Sequence, residues 1–286
     1  MYTRTDRTMN KSAKRLRIMC RNLLVFCVSL ISILYHCSTS STESGFRVVS
    51  LSPAMTEILF ALNARENLVG VTTFCDYPEQ TKDIYKVGDF SNPSMERIVG
   101  LKPDLVIVNL PEQMRIKRQL DKLQIKVFVS SPLSLDDMYN EIAEIGRIVE
   151  KESVAESLIS TMKMTIRPSG DNDEKKRVYI ELSSRPIVTI GAQTFLNELL
   201  DWAGGVNIFS DLNKDYPVVS QEQIIKRNPE IIILLHPDDI KERLGWKDLE
   251  AVRNKKIYRD INQDHLMRPG PRLVEGFKAL REIIND

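Results

Sequence analysis

The chain is poor in the residues from which most metal and cofactor sites are built. It contains four cysteines and three histidines in 286 residues, and it has no His-Glu-x-x-His or Cys-x-x-Cys spacing that would hold zinc. It also lacks the Gly-x-Gly-x-x-Gly turn and the lysine-containing phosphate loop of the common nucleotide sites. A nucleophile–base pair of Cys75 and His265 is conceivable, but nothing in the sequence brings the two together. We therefore expect no catalytic residue, no metal site and no resident cofactor.

A strong net charge is also missing, because the positive charge of the first part of the chain and the negative charge of the rest nearly cancel. The whole chain carries a formal charge of +1, and residues 1–36 hold seven basic residues against one acidic residue, a net of +6. Residues 37–286 are left with −5. A mildly acidic body without a basic stripe argues against nucleic acid as the partner. The length and the 42% hydrophobic content suit a globular protein of two domains.

The apolar run near the start is too short to cross a bilayer comfortably. It extends over 13 residues from Leu23 to Tyr35 and follows a basic region that ends at Arg21. This order is typical of a secretory signal, with a retained membrane anchor as the alternative. Cys37 and a serine- and threonine-rich stretch come next, which resembles a bacterial lipoprotein signal whose cysteine is acylated, although the two residues before Cys37 are larger than that pattern expects. Residues 1–45 are thus predicted to be an export segment and tether, which places the body in the periplasm or at the outer face of the cytoplasmic membrane.

One stretch occurs twice, and the rest of the chain is arranged around it. Ser94–Val108 returns 126 positions later as Ser220–Leu234, with the Ser, Glu, Ile, Pro and last Ile identical. Each copy predicts a helix with a serine N-cap and a glutamate in its first turn, followed by a proline and a buried β-branched strand. Two copies of such a unit indicate two similar α/β lobes. Ser52 and Pro53 likewise predict the start of a helix, with a serine cap and a proline at the first helical position.

A single long helix is predicted between the lobes. Residues 135–167 contain no proline and one glycine, and their apolar positions have helical spacing. At about 1.5 Å per residue such a helix is roughly 50 Å long; two consecutive shorter helices are the alternative. The predicted organisation is an N-terminal α/β lobe over 46–133, a bridging helix over 134–168 and a C-terminal α/β lobe over 169–286.

Three stretches in combination resemble a known family. They are Ser50–Glu57, Val87–Glu96 with Lys102–Ile107, and Arg268–Arg272. The resemblance covers nearly the whole chain beyond the predicted export segment. It is to the ABC importer substrate-binding proteins of the cobalamin- and siderophore-binding class, and most of all to periplasmic cobalamin-binding proteins. It implies two lobes bridged by one long helix, a ligand cleft between them, no enzymatic activity, and delivery of a corrinoid to the permease.

The same resemblance assigns contacts to the ligand. In the cobalamin-binding proteins the corrin lies between the lobes among aromatic side chains, and the corresponding positions here are Phe74, Phe90, Tyr216 and a non-aromatic Val188. A broad apolar macrocycle with amide fringes suits aromatic walls and a few polar groups. Cobalamin carries its own lower cobalt ligand, so none is required from the protein. Core packing is the alternative for the two phenylalanines.

The last of the three stretches leaves the identity of the ligand open. His265 and Arg268 are predicted to lie in the cleft. A haem-binding protein would use His265, Met267 or Tyr216 as an axial ligand, and a ferric siderophore with anionic groups would contact Arg185 or Arg268. Outside the class, the alternative is a chelatase-like enzyme with a related two-lobe plan.

The repeated glutamates have an expected role in docking. In the class that the chain resembles, one acidic residue at the top of each lobe pairs with arginines of the membrane subunits. Glu96 and Glu222 match those positions, one in each lobe. The alternative is that they only stabilise the starts of their helices through the helix dipole.

Overall fold

The computed structural model describes residues 45–170, 174–238, 240 and 243–286. The predicted export segment, with Cys37, lies outside the described residues. Phe46–Asp286 form one compact unit. In the described part of the chain, no helix combines the length and the apolar character that a membrane crossing requires.

The first lobe, as far as the chain is described, is built on a four-stranded parallel sheet. Its strands are β1 (Val48–Ser50), β2 (Leu68–Val71), β3 (Leu105–Asn109) and β4 (Val127–Ser130), in the order β2-β1-β3-β4. The α-helices of this lobe are α1 (Pro53–Ala61), α2 (Met95–Gly100) and α3 (Met114–Lys122), with short 3-10 helices at Arg65–Asn67 and Glu79–Asp83. Helix α1 begins where the sequence predicts, because Ser52 caps it by accepting the Met55 amide at 3.4 Å.

The bridge between the lobes differs from the predicted single helix. Two helices of 14 residues take its place, α4 (Leu135–Ile148) and α5 (Glu152–Thr165). Helix α4 ends because Glu150 adopts a left-handed conformation, with φ of 57°, and the Lys151 amide then donates to the Gly146 carbonyl at 2.7 Å. The turn is so sharp that a side chain on Gly146 would overlap Ala155. Helical periodicity in the sequence continues across this break and therefore does not reveal it.

The second lobe is organised around the long strand β5. The remaining strands are β5 (Lys176–Ser184), β6 (Ile187–Thr189), β7 (Gly205–Asn207), β8 (Ile231–Leu234) and β9 (Ile257–Tyr258). Strand β5 pairs in parallel with β8 and β7 and in antiparallel fashion with β6, while β9 extends the sheet beyond β8. The helices are α6 (Phe195–Trp202), α7 (Gln221–Arg227), α8 (Glu250–Arg253), α9 (Gln263–Met267) and α10 (Leu273–Asn285), with a 3-10 helix at Trp246–Asp248. The chain thus has the two-lobe α/β fold that its sequence predicts.

Both sheets are buried on both faces, as expected for largely parallel sheets. Val48 of β1 and Val178 of β5 belong to one continuous core, which also takes in buried side chains of α1, α4, α5, α6 and α10. On the opposite faces, Val49 packs into a core of the first lobe and Tyr179 into a core of the second. This shared core packs the two lobes against each other.

The repeated stretch forms the same unit in both lobes. The hydroxyls of Ser94 and Ser220 accept hydrogen bonds at 3.3 Å from the Arg97 and Gln223 amides, so they cap α2 and α7 as predicted. The strands that follow, β3 and β8, each pair in parallel with the first strand of their own lobe.

The duplication also extends beyond the predicted stretch. The Arg47 amide donates to Asp104 Oδ2 at 2.7 Å, and the Arg177 amide donates to Glu230 Oε2 at 2.9 Å. The carboxylate after the proline therefore fixes the start of the first strand in each lobe.

Candidate functional site

Two predicted wall residues meet where the strands of the first sheet end. Phe74 follows β2, and Phe90 lies in the loop that precedes α2. The two ring centroids are 6.2 Å apart with an interplanar angle of 57°, a tilted arrangement that aromatic pairs favour. Phe74 is 56% exposed and Phe90 is half-buried. The pair therefore presents an aromatic surface to solvent.

The loop that carries Phe90 is fixed by its own backbone. Gly88 has φ of +132°, and a side chain there would come within 3.0 Å of the Pro93 backbone. Asp89 Oδ1 accepts the Asn92 amide at 2.6 Å, and the Thr73 amide donates to the Gly88 carbonyl at 2.9 Å. The Phe90 loop is thus closed on itself and bound to the loop of Phe74.

Tyr216 lies on a loop of the second lobe and is 44% exposed. Partial burial of the phenol, followed by the negative charges of Asp215 and Glu112, raises its pKa to about 12. Glu112 belongs to the first lobe, directly after β3, and Asn109 Nδ2 donates to its carboxylate at 2.9 Å. The charge of Glu112 in the first lobe therefore reaches the phenol of Tyr216 in the second.

Val188 lies beside the Tyr216 loop. It forms an antiparallel bridge with Val218, which is 65% exposed. The Gly191 amide donates to the Asp215 carbonyl at 2.8 Å, and a side chain on Gly191 would overlap the Lys214 carbonyl oxygen. Strand β6 and its continuation therefore determine the position of the Tyr216 loop.

Sequence reasoning missed Gln113, which is a buried polar residue at this site. It is 0% exposed, and its Nε2 donates to the Phe90 carbonyl at 2.8 Å and to the Leu51 carbonyl at 3.1 Å. Its Oε1 accepts the Asn109 amide at 2.8 Å. A glutamine in the loop sequence Pro-Glu-Gln-Met gives no signal that would have identified it.

Arg268 takes part in a buried ionic cluster that joins two of the family-like stretches. Glu57, 4% exposed, accepts hydrogen bonds from Arg268 Nη1 at 2.9 Å and from Arg272 Nε at 2.8 Å. Arg268 also donates to Asp76 at 2.7 Å and pairs with Asp264 at 3.1 Å. A glutamate in an otherwise apolar helix needs a cationic partner, so the sequence did contain a signal for this contact.

The hydrogen bonds and charges of this cluster favour the charged forms of both Arg268 and Asp76. Burial works to lower the pKa of Arg268, but its hydrogen bonds to Asp76 and Glu57 outweigh burial and raise that pKa. Burial likewise works to raise the pKa of Asp76, and the hydrogen bond and charge of Arg268 lower it. Three carboxylates therefore compensate the guanidinium of Arg268 before any ligand arrives.

His265 lines a cavity next to this cluster. The cavity has a volume of about 540 Å³ and lies between α1 and the segment from α9 to α10, with Tyr77 and Arg272 among its walls. The Arg272 guanidinium stacks on the Tyr77 ring at 4.0 Å from the ring centroid. His265 is thus grouped with Tyr77 and not with the pair of Phe74 and Phe90.

Cys75 is held in the interior of the first lobe. Its thiol is 3.2 Å from the Thr56 hydroxyl and 3.3 Å from the Thr72 hydroxyl. Burial raises the pKa of the thiol, which is the opposite of what activates a cysteine nucleophile. The environment of Cys75 is that of a packing residue.

A second buried carboxylate was also missed. Glu181 of β5 is 0% exposed and accepts two hydrogen bonds from Arg243 at 2.6 and 2.7 Å. His236 Nε2 and the Tyr179 hydroxyl each lie 2.7 Å from its carboxylate oxygens. Arg243 in turn stacks on Trp246, with its Cζ 4.5 Å from the ring centroid. This cluster ties the segment after β8 to the second sheet.

Glu96 and Glu222 occupy equivalent, exposed positions in the first turns of α2 and α7. A hydrogen bond with the Ser220 hydroxyl lowers the pKa of Glu222. Each lobe therefore presents one carboxylate at the N-terminus of its repeated helix.

Comparisons with known proteins agree with this architecture. The family model described as periplasmic binding protein matches residues 48–263. An uncharacterised ABC transporter substrate-binding lipoprotein of Bacillus subtilis is 34% identical over 252 residues, which cover 83% of this chain and 79% of that protein. A vitamin B12-binding protein of Vibrio parahaemolyticus is 30% identical over 253 residues, which cover 85% of this chain and 91% of that protein.

Solved structures include a similar fold. A possible iron-binding, periplasmic solute-binding protein of Staphylococcus epidermidis superposes with a TM-score of 0.74 at 33% sequence identity, over 84% of this chain and 99% of that one. With the family match over more than two thirds of the chain, the assignment does not depend on any single relative. The chain belongs to the periplasmic binding protein family, the substrate-binding proteins of ABC transporters.

Proposed function

We propose that this protein captures a corrinoid, namely cobalamin, outside the cytoplasmic membrane and delivers it to the membrane subunits of an ABC importer. The observation that carries the proposal is the aromatic pair of Phe74 and Phe90 on the first lobe, together with the exposed Tyr216 on the second lobe. A flat, largely apolar macrocycle is well matched to such walls. The relative in Vibrio parahaemolyticus is named for the same vitamin.

The charges around the walls favour a ligand with a neutral fringe. Glu112 and Asp215 act on the Tyr216 phenol, while the charge of Arg268 is already compensated by carboxylates. The carboxylates of haem or of an anionic siderophore would meet negative charge beside Tyr216. The amide fringe of a corrin accepts and donates hydrogen bonds without that repulsion. Val188 and Arg268 are further proposed contacts of a corrinoid, whereas His265, which lines the cavity beside Tyr77, is proposed as a contact only for haem.

Delivery is proposed to depend on Glu96 and Glu222. Both are exposed and lie at the same position of a repeated helix, so two similar membrane subunits can each meet one of them. The proposed partner groups are arginines on those subunits. In this function the protein is a carrier and not an enzyme.

Attachment to the membrane is proposed through an acylated Cys37. The support is the order of basic region, apolar run and cysteine, together with the Bacillus subtilis relative, which is named a lipoprotein. Mass spectrometry of membrane-extracted protein should find an N-terminal cysteine with lipid mass. An unmodified N-terminus beyond Cys37 would exclude lipidation.

A direct titration tests the ligand. Purified full-length protein is titrated by calorimetry with cyanocobalamin, haemin and an anionic ferric catecholate siderophore under the same conditions. We expect binding of cyanocobalamin at micromolar concentration or tighter, and binding of the other two weaker by about 100-fold, a difference of about 2.7 kcal/mol. Tight binding of haemin without cyanocobalamin binding at micromolar concentration would overturn the proposal.

A ferric chelate is the second candidate, because the similar structure from Staphylococcus epidermidis is described as possibly iron-binding. Haem is the third member of the panel, with His265 or Tyr216 as its axial ligand. A shift of the haemin absorption spectrum that is lost in Tyr216→Phe or His265→Ala would identify that ligand. Tight binding of the siderophore alone would select the second candidate.

A further inference from the structure

We infer that Gln113 is a positioning residue for ligand binding, because its buried amide fixes the height of Phe90 above the first sheet. The inference rests on the proposed function, in which Phe90 is a wall of the cleft. Gln113 itself is 0% exposed and cannot reach a ligand in the cleft directly, so we expect its effect on binding to pass through Phe90.

The side-chain amide of Gln113 joins three parts of the first lobe. Its two N–H groups are used by the carbonyls of Phe90 and Leu51, at 2.8 and 3.1 Å. Its oxygen accepts the Asn109 amide at 2.8 Å. Leu51 follows β1 and Asn109 ends β3, so one side chain connects the Phe90 loop to two neighbouring strands.

The other hydrogen bonds of the Phe90 loop either close the loop or hold its first residues to the sheet, as the Val87 amide does by donating to the Val71 carbonyl of β2 at 2.9 Å. Those between Asp89 and Asn92 and between Val87 and Ser94 close the loop on itself, and they set its shape but not its distance from the sheet. The Thr73 amide holds the loop at Gly88. Gln113 holds it at Phe90 itself, and a wall that is fixed before the ligand arrives lowers the entropic cost of binding.

Two substitutions test the donor groups of Gln113. Gln113→Leu removes all three bonds at nearly constant volume, whereas Gln113→Glu keeps an acceptor for Asn109 and turns an oxygen toward the Phe90 carbonyl. We expect each to raise the Kd for cyanocobalamin about tenfold. The matched control is Gln119→Leu in helix α3, which begins directly after Gln113, since the buried Oε1 of Gln119 has no partner. The control should leave Kd unchanged.

A double-mutant cycle separates positioning from general loss of stability. In a Phe90→Ala background, Gln113→Leu should no longer change the Kd, because the residue through which it acts is gone. An equal loss of affinity in both backgrounds would assign Gln113 a purely structural role and overturn the inference.

Hydrogen exchange of the ligand-free protein gives an independent readout. In Gln113→Glu the amides of residues 87–94 should exchange at least about tenfold faster than in wild type, while those of α10 stay unchanged. This measurement needs no ligand, so it still decides on Gln113 if none of the three compounds binds and the proposed function fails. Unchanged exchange at residues 87–94 would overturn the inference, and so would acceleration throughout the chain.

Discussion

Among individual residues, two exposed aromatic side chains stand out, because apolar surface left in contact with water is unfavourable unless a ligand covers it. Phe74 is 56% exposed and Tyr216 is 44% exposed, although both could bury apolar surface favourably. The Phe74 ring lies beside that of Phe90, with the ring centroids 6.2 Å apart. A ligand that covers these rings recovers the unburied area, and this is the physical reason for assigning them to the cleft.

For the walls we predict that Phe90→Ala and Tyr216→Ala each raise the Kd for the ligand at least about tenfold, since truncated aromatic anchors typically cost more than about 1 kcal/mol of binding. The thermal midpoint of the empty protein should change little, because both residues lie on loops outside the shared core. Calorimetry and thermal unfolding measure the two quantities. A loss of about 3–5 kcal/mol in folding stability with unchanged affinity would mean core packing instead.

The pairing of Asp76 with Arg268 predicts a dependence of stability on pH. The folded-state pKa of Asp76 lies below its ordinary value of 3.8, so its contribution is present above that value and is lost as pH falls through the folded-state pKa. The Tm of wild type should therefore exceed that of Asp76→Asn at pH 5 to 7, and the gap should close below about pH 4.

Thermal unfolding of both proteins from about pH 2.5 to 7 checks this. Since the Asp76 side chain is 61% exposed, the gap should be small and should shrink in high salt. A gap that is independent of pH would show that the charge of Asp76 is not what matters.

The residues of the site were predictable to very different degrees. Phe74, Phe90 and Tyr216 were proposed through family resemblance, and their assignment to the site stays a prediction; the structure shows that the two phenylalanine rings are neighbours. Glu57 and Arg268 lay within recognised stretches, yet their pairing was not predicted, because sequence reasoning treated each stretch separately. Gln113 could not be predicted, since its role comes from two carbonyls that only the folded backbone brings to it.

At the scale of secondary-structure elements, a glycine in or beside each aromatic loop restricts the conformations that the loop can adopt. Gly88 has a backbone conformation that favours glycine, with φ of +132°. At Gly191 glycine is required on steric grounds, because the backbone of residues 212–214 passes so close that no side chain fits. Both aromatic loops therefore have their shape determined by backbone contacts.

We predict that Gly191→Ala displaces the Tyr216 loop, lowers the free energy of unfolding by about 1–3 kcal/mol and raises the Kd about tenfold. The matched control is Gly100→Ala at the end of α2, where an added side chain meets nothing within 4 Å. That change should leave Kd unchanged and stabilise slightly, by up to about 1 kcal/mol. Chemical denaturation and calorimetry measure both, and unaltered binding in Gly191→Ala would contradict the prediction.

Element boundaries show where sequence patterns suffice. The serine caps at Ser52, Ser94 and Ser220 were predicted because capping is a local interaction between a side chain and the next turn. The break between α4 and α5 matches the alternative of two shorter helices and not the favoured single helix; its position could not be predicted, because it depends on a left-handed Glu150, and such a residue leaves no mark on hydrophobic periodicity. Local chemistry was readable from the sequence, whereas an uncommon backbone conformation was not.

At the scale of the whole molecule, contacts between distant elements hold the two lobes together. Glu57 of α1 binds Arg268 and Arg272 from the C-terminal segment, and Glu198 of α6 accepts the Leu135 amide at the start of α4 at 2.8 Å. Together with the shared core, these contacts resist wide hinge motion. The exposed ends of the two lobes therefore keep a nearly fixed spacing, which suits docking at two points.

We predict that reversing both glutamates, Glu96→Lys with Glu222→Lys, abolishes transport while the Kd for the ligand stays near wild type. Each reversal replaces attraction by repulsion, so its effect should exceed the 0–1 kcal/mol typical of an exposed ion pair. Single reversals should leave partial transport, because one lobe still engages. Uptake of the ligand by vesicles that contain the permease measures transport. Normal uptake with the double variant would mean that the two glutamates only stabilise the starts of their helices.

The contact between Glu57 and the C-terminal segment has a consequence for the order in which the protein folds. Its partners Arg268 and Arg272 come 211 and 215 positions later in the chain. During synthesis or translocation Glu57 emerges long before them, and an unpaired carboxylate resists burial at a cost of several kcal/mol. Burial of α1 around Glu57 therefore becomes favourable only once Arg268 and Arg272 are available, so we expect the N-terminal lobe to complete its packing after the C-terminal segment has arrived.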